Sequence, residues 1–205
     1  PEKRHLSVVS WPKQPTNEDT IRTKQDALEL IDDYKDGSDF STLANIHSQD
    51  PGNRLSPDSS KGGDLGWFGK GQMLKEFETA AFKARRGSVV GPVLTQFGYH
   101  IIKVDSIRNR NKDNHQVRAR HILLNIELGQ KSRTELRRKA TLFSYDAQDY
   151  GLSAALDSHN VTVQVANNIK EGDFFIPQLG PFRSAVRWAF NSKTGSVSEP
   201  LETES

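Results

Sequence analysis

At 205 residues, with 34% hydrophobic side chains and a mean hydropathy of -0.68, the chain suits two compact lobes with modest cores better than one deep core. No run approaches the ~20 apolar residues that cross a bilayer, and 28 basic against 26 acidic residues leave a net charge of +2, too balanced for a dedicated polyanion binder, so no nucleic-acid partner is expected. The absence of cysteine excludes disulfides, thiolate nucleophiles and Cys-ligated zinc, and it suits an exported bacterial protein. The abrupt start at Pro1 without a signal peptide reads as a cut chain, which leaves room for a membrane anchor outside it.

A short strand is expected through Leu6-Ser7-Val8-Val9, then a loop with Pro12 and Pro15. A helix starts near Thr16 or Asn17, with Glu18 and Asp19 in its acidic first turn. Ala27, Leu30, Ile31 and Tyr34 repeat at helical spacing, and Gly37 stops it. Phe40, Leu43 and Ala44 give a shorter helix. A long polar loop from Asp50 to Lys61 leads into Gly62-Gly63-Asp64-Leu65-Gly66-Trp67-Phe68, and a further helix is expected from about Gln72 to Arg85. Two strands follow, Val89 to Leu94 and Tyr99 to Val104, with Gly98 as the hairpin residue. Strand, helices, strand, helix, strand, strand is the order of an α+β lobe with a small mixed or antiparallel sheet.

The chain repeats itself. Arg4-His5-Leu6 returns as Arg120-His121-Ile122, Ala81-Phe82 as Ala189-Phe190, Gly87-Ser88-Val89 as Gly195-Ser196-Val197, and Pro92 and Thr95 as Pro200 and Thr203. The shared order argues against chance. The polar stretch 109–114 is the expected linker, giving lobes 1–108 and 115–205. The second lobe begins with a strand from Val117 to Asn125 and a basic helix from about Ser132 to Tyr150. Asp173-Phe174-Phe175-Ile176-Pro177 and Leu179-Gly180 stand where the glycine-rich motif would be, so this copy is expected to be degenerate. It reaches Ser205 before its last strand, so it is also expected to be truncated.

Gly62-Gly63-Asp64-Leu65-Gly66-Trp67-Phe68, then Gly71-Gln72-Met73 and Phe77, then Gly91-Pro92-Val93 and Thr95-Gln96-Phe97-Gly98-Tyr99-His100-Ile101-Ile102 resemble the parvulin-type peptidyl-prolyl cis/trans isomerases. The resemblance is to the bacterial foldases of the SurA, PpiD and PrsA type, strong over the first half of the chain and weak over the second. It implies a lobe with a small four-stranded, mainly antiparallel sheet and surrounding helices. It also implies a rotamase without cofactor or metal, a periplasmic or cell-envelope location, and unfolded or proline-containing polypeptides as clients. The oligomeric state stays open.

The chemistry asks for little. An X–Pro bond rotates over a barrier of about 18–20 kcal/mol, no bond breaks, and a catalyst has to hold the ring, desolvate the amide and favour its twisted form. By resemblance, Leu65, Met73, Phe77 and Phe97 line the proline pocket, with Met73 and Phe77 four apart on one helix face. The polar set carried over is His5, Asp50, Thr95 and His100, Asp50 standing where parvulins place cysteine or aspartate. Two histidines with a threonine hydroxyl make an array that fixes ring tautomers. Asp50 before Pro51-Gly52 equally fits a turn start, and Ser7 stands where a parvulin first strand carries a branched apolar residue. Phe82 is assigned to the core, and His121 to a structural role. No HExxH, phosphate loop or GxSxG occurs. A chaperone module that holds unfolded chains without catalysis is the alternative reading.

Overall fold

The computed structural model describes residues 2–56, 59–110, 112–177 and 179–203. In chain order the elements are β1 (Arg4–Val8), α1 (Asn17–Lys35), α2 (Phe40–His47), a 3-10 turn (Pro51–Asn53), β2 (Arg54–Ser56), β3 (Ser59–Ser60), β4 (Asp64–Gly69), α3 (Lys75–Lys83), β5 (Val89–Thr95), β6 (Gly98–Arg108), β7 (Gln116–Leu124), α4 (Gln130–Tyr150), α5 (Leu152–His159), β8 (Gln164–Ile169), β9 (Phe175–Ile176), β10 (Gly180–Pro181) and α6 (Arg183–Asn191). They form two compact units: Gln14–Gly129 is one, and Pro1–Lys13 with Gln130–Ser205 is the other.

The central unit is built on a four-stranded sheet in the order β4-β7-β6-β5, every pair antiparallel. Antiparallel strands alternate their side chains between two faces, and here both faces are covered. On one, Tyr99, Ile101, Ile122 and Leu124 meet Ala27, Leu30, Ile31, Phe40 and Leu43 of α1 and α2. On the other, Ile102, Val104, Val117 and Ala119 meet Phe68 and, from α3, Phe77 and Ala81. Phe82 is half-buried against this second cluster. The helix α1 begins as the sequence predicts: Thr16 caps it reciprocally with Asp19. Asp19, 1% exposed, also accepts from Gly129 N–H at 2.9 Å and Arg22 at 3.0 Å.

Three expectations need correction. The strand at Leu6 does not join this sheet: β1 pairs with β8 in the other unit, and β7 is the fourth strand instead, between β4 and β6. The stretch 109–114 is the turn of a hairpin joining two strands paired along their length, rather than a linker between folded units; Asn111 lies outside the described residues. The third helix starts at Lys75, so Met73 sits in the turn before it. That turn is held by Gln72 Oε1 accepting from Gly69 N–H and Glu78 Oε2 accepting from Gly71 N–H, both at 2.6 Å.

The other unit contains the two-stranded sheet β1-β8, the short pair β9-β10 and helices α4, α5 and α6. One core gathers Ala166, Ile169, Ile176, Phe182, Ala185 and Val186. A second gathers Phe143, Ala147 and Ala155, with Trp11 edge-on to Phe143 at 5.5 Å. Asn160 ends α5 in the left-handed conformation (φ 50°) that asparagine tolerates. Among the described residues no helix is long and apolar enough to cross a membrane.

Candidate active site

The central strands place two imidazoles side by side. In the β6–β7 register His100 faces Leu123 and Ile102 faces His121, so the two histidines are diagonal neighbours on one face, within reach of each other. Their rings stack at 5.4 Å between centroids with 20° between planes, and Nδ1 lies 3.3 Å from Nδ1. Both are buried, His100 at 4% and His121 at 6% exposed.

Each ring has a polar partner on its far side. Thr95, at the end of β5, brings Oγ1 within 2.9 Å of His100 Nε2, and the same oxygen accepts from Phe97 N–H at 3.2 Å. Asp50 Oδ2 lies 2.8 Å from His121 Nε2. Asp50 also caps the 3-10 turn, Oδ1 accepting from Gly52 N–H at 2.9 Å, so the turn-start and array readings of this residue hold together. The segment carrying it is tied to β7: Gln49 N–H donates to Leu123 O at 2.8 Å and Leu123 N–H donates to Ser48 Oγ at 3.2 Å. The array therefore runs Thr95–His100–His121–Asp50.

With both rings neutral, one proton order satisfies every member. Thr95 donates to His100 Nε2, His100 Nδ1–H donates to His121 Nδ1, and His121 Nε2–H donates to the carboxylate. Burial lowers the pKa of His100 to about 4, with the neighbouring His121 adding to the effect and Asp50 opposing it. His100 is thus uncharged at neutral pH. Burial alone would raise the Asp50 carboxyl. The His121 hydrogen bond, the Gly52 N–H and the facing imidazole charges outweigh that, and it titrates below the ordinary carboxylate range.

Phe77, 3% exposed, sets its ring edge-on to both imidazoles, at 5.3 Å from His100 and 5.7 Å from His121. Met73 and Leu65 are half-buried against the same cluster, so three of the four predicted pocket residues come together even though Met73 lies outside the helix. Phe97, in the β5–β6 turn, is 56% exposed, and its link to the site is the N–H on Thr95. Among the described residues no group of three or more His, Asp or Glu side chains could hold a metal ion.

Of the predicted polar set, Asp50, Thr95 and His100 converge and His5 does not. His5 is an exposed residue of β1 in the other unit, hydrogen-bonded through Nδ1 to Asn167 Oδ1 at 2.7 Å. His121, expected to be structural, fills the place expected for His5. The repeat had already aligned Arg120-His121-Ile122 with Arg4-His5-Leu6. A further signal was Leu123, two residues past His121 and 6% exposed, where the earlier copy has Ser7.

Residues 8–106, just under half of the chain, match the family described as Rotamase: PPIC-type PPIASE domain. The match stops short of β7 and His121. The chain is 48% identical over 93 residues to "Foldase protein PrsA" of Geobacillus kaustophilus, covering 45% of this chain and 31% of that protein. It is 32% identical over 123 residues to "Chaperone SurA" of Salmonella choleraesuis, covering 59% of this chain and 27% of that protein. The chain thus spans less than a third of the length of these relatives. A solved PrsA structure from Bacillus anthracis aligns at 24% identity over 80% of this chain and 62% of that one, with a TM-score of 0.26, too loose a superposition to carry an argument.

Proposed function

We propose that the chain carries a parvulin-type peptidyl-prolyl isomerase domain of the PrsA and SurA kind and that the protein accelerates rotation about X–Pro bonds in unfolded or partly folded polypeptides. The observation that carries this is the buried Thr95–His100–His121–Asp50 chain with Phe77 edge-on to both of its rings. Rotation costs the imide its conjugation, and the twisted nitrogen regains a lone pair. Leu65, Met73 and Phe77 offer the proline ring an apolar seat that strips water from the amide, and exposed Phe97 extends it toward the flanking client residues. The array beside that seat is neutral at His100 and fully hydrogen-bonded, so it presents fixed dipoles without reorganising during the turn. Asp50 anchors His121 and is no nucleophile in this scheme: each of its carboxylate oxygens is held by a hydrogen bond, one with His121 Nε2 and one from Gly52 N–H. A protease-coupled assay on an X–Pro peptide tests the proposal; a rate equal to background from folded protein refutes it.

The two sequence copies, 1–108 and 115–205 around 109–114, we read as repeats of one parvulin-like lobe that have traded their first strands. The recurring Ala-Phe, Gly-Ser-Val, Pro and Thr positions support a degenerate parvulin-like origin for the second. A non-catalytic holding role suits the unit that contains it, because Phe174 and Phe175 stand there 56% and 50% exposed. Suppression of aggregation that survives His100→Gln would support it, and its loss in that variant would refute it. A bacterial cell-envelope location, in the periplasm, accords with foldase relatives and with a chain free of cysteine.

A further inference from the structure

Asn53 is 4% exposed and lies outside the imidazole array, yet it uses every polar group it has. Its Nδ2 donates to Ala44 O in the last turn of α2 at 3.0 Å, and its Oδ1 accepts from Gly63 N–H at 2.7 Å. Its backbone N–H donates to Asp50 O at 3.0 Å, and its carbonyl accepts from Lys61 N–H at 2.8 Å.

These bonds bear on the catalytic pair from both ends. On one side, the bond to Asp50 O closes the turn that aims the Asp50 carboxylate. On the other, Gly63 is the residue on which His121 rests: His121 N–H donates to Gly63 O at 2.9 Å, and a side chain at Gly63 would run into His121 O. Gly63 sits at φ 77°, a conformation glycine adopts freely, which permits that approach. The 2.8 Å contact between Asp50 and His121 is thus bracketed by two bonds of one residue, the backbone N–H of Asn53 on the Asp50 side and its amide oxygen on the Gly63 side.

The geometry points to Asn53 as a positioning residue of the isomerase site, its amide oxygen setting the Asp50–His121 distance through Gly63; the inference rests on the isomerase reading. It touches no substrate and acts through the pair it holds. Removing its amide leaves a buried N–H without an acceptor and frees the glycine loop to drift from the turn. A drift of about 1 Å is enough to cost an enzyme on the order of a hundredfold.

The test compares Asn53→Ala, which loses both side-chain bonds, with Asn53→Asp, which keeps an acceptor for Gly63. One readout is the proton resonance of His121 Nε2–H, shifted downfield by the carboxylate and protected from exchange. The other is the pH profile of kcat/KM. In folded Asn53→Ala the resonance weakens or vanishes, the acid limb of the profile moves to higher pH as Asp50 loses its partner, and kcat/KM falls by roughly tenfold or more. Asn53→Asp lies nearer the wild type on both counts. Should Asn53→Ala fail to fold, Asn53→Ser, too short to reach Gly63, takes its place. A variant without the amide that keeps the resonance and the profile while melting earlier overturns the inference, as does equality of the two variants. If the wild type itself isomerises nothing above background, the functional reading falls, and the resonance still decides the role of Asn53.

Discussion

Lowering the pH from 7 to 4.5 destabilises the central unit through His100. Its folded pKa is about 4 against an ordinary 6.5, so between those values the unfolded chain binds a proton that the folded chain refuses. Stability is therefore full above 6.5 and declines as the pH falls toward 4, a window set by burial of the ring. The gap corresponds to roughly 3 kcal/mol when complete, a large share of a domain's ~5–15 kcal/mol. Asp50 adds its own loss only below its ordinary value of 3.8, because its folded pKa is lowered; that loss lies outside the window. Trp67 is the tryptophan of the central unit, Trp11 and Trp188 belonging to the other. Urea unfolding followed by Trp67 fluorescence, with Trp11 and Trp188 replaced by Phe, isolates the unit that matters. The wild-type curve of stability against pH is expected to be steeper than that of His100→Gln, which keeps a partner for Thr95 without titrating. The His100 ring resonance should titrate near 4 in the native state. Parallel curves for the two proteins, or a His100 midpoint near 6.5, would refute the reasoning.

His121→Ala is expected to lower kcat/KM in the peptide assay by at least roughly tenfold, whereas His5→Ala, exposed in the other unit, leaves it unchanged. Phe77→Ala removes a ring that is 3% exposed and should cost about 3–5 kcal/mol of stability in denaturant titration. Met73→Ala, half-buried in a turn, should cost under about 2 kcal/mol while raising KM for a proline peptide. A chain of residues 14–129 should fold and isomerise, whereas residues 1–108, which lack β7 and His121, should not; circular dichroism and the same assay decide both.

The sequence made most of the central unit legible because its signals are local. Thr16 and Asp19 announce α1, the spacing of Ala27, Leu30 and Ile31 gives its buried face, and the run from Thr95 to Ile102 reads as a hairpin. Asp50, Thr95 and His100 can be nominated from the sequence because the residues beside them in the chain carry the motif's pattern. His121 is hard to nominate for the opposite reason: its partner Asp50 is 71 residues away, and the glycine-rich loop and Met73 lie far from it in sequence. Two strands carry the same Arg-His-Leu or Arg-His-Ile signature, and local pattern alone cannot say which of them the sheet takes.

Chain geometry and burial settle that choice. The strand β7 follows β6 through a short turn, so closing that hairpin costs little entropy, and consecutive antiparallel strands pair by default. Placing β1 beside β6 instead would mean closing a loop that holds α1, α2, β4, α3 and β5. The slot also lies between β4 and β6, with helices on both faces, and a central strand there must be apolar on each side. Ile122, Leu123 and Leu124 meet that demand, all of them buried. The other candidate would bring Ser7 to the Leu123 position and bury a hydroxyl at a cost of about 1–3 kcal/mol without a partner. As a two-stranded ribbon with alternating exposure, β1 tolerates that serine. The residue that looked like a blemish in the predicted first strand was evidence that the strand belonged elsewhere, and with it the histidine two positions before.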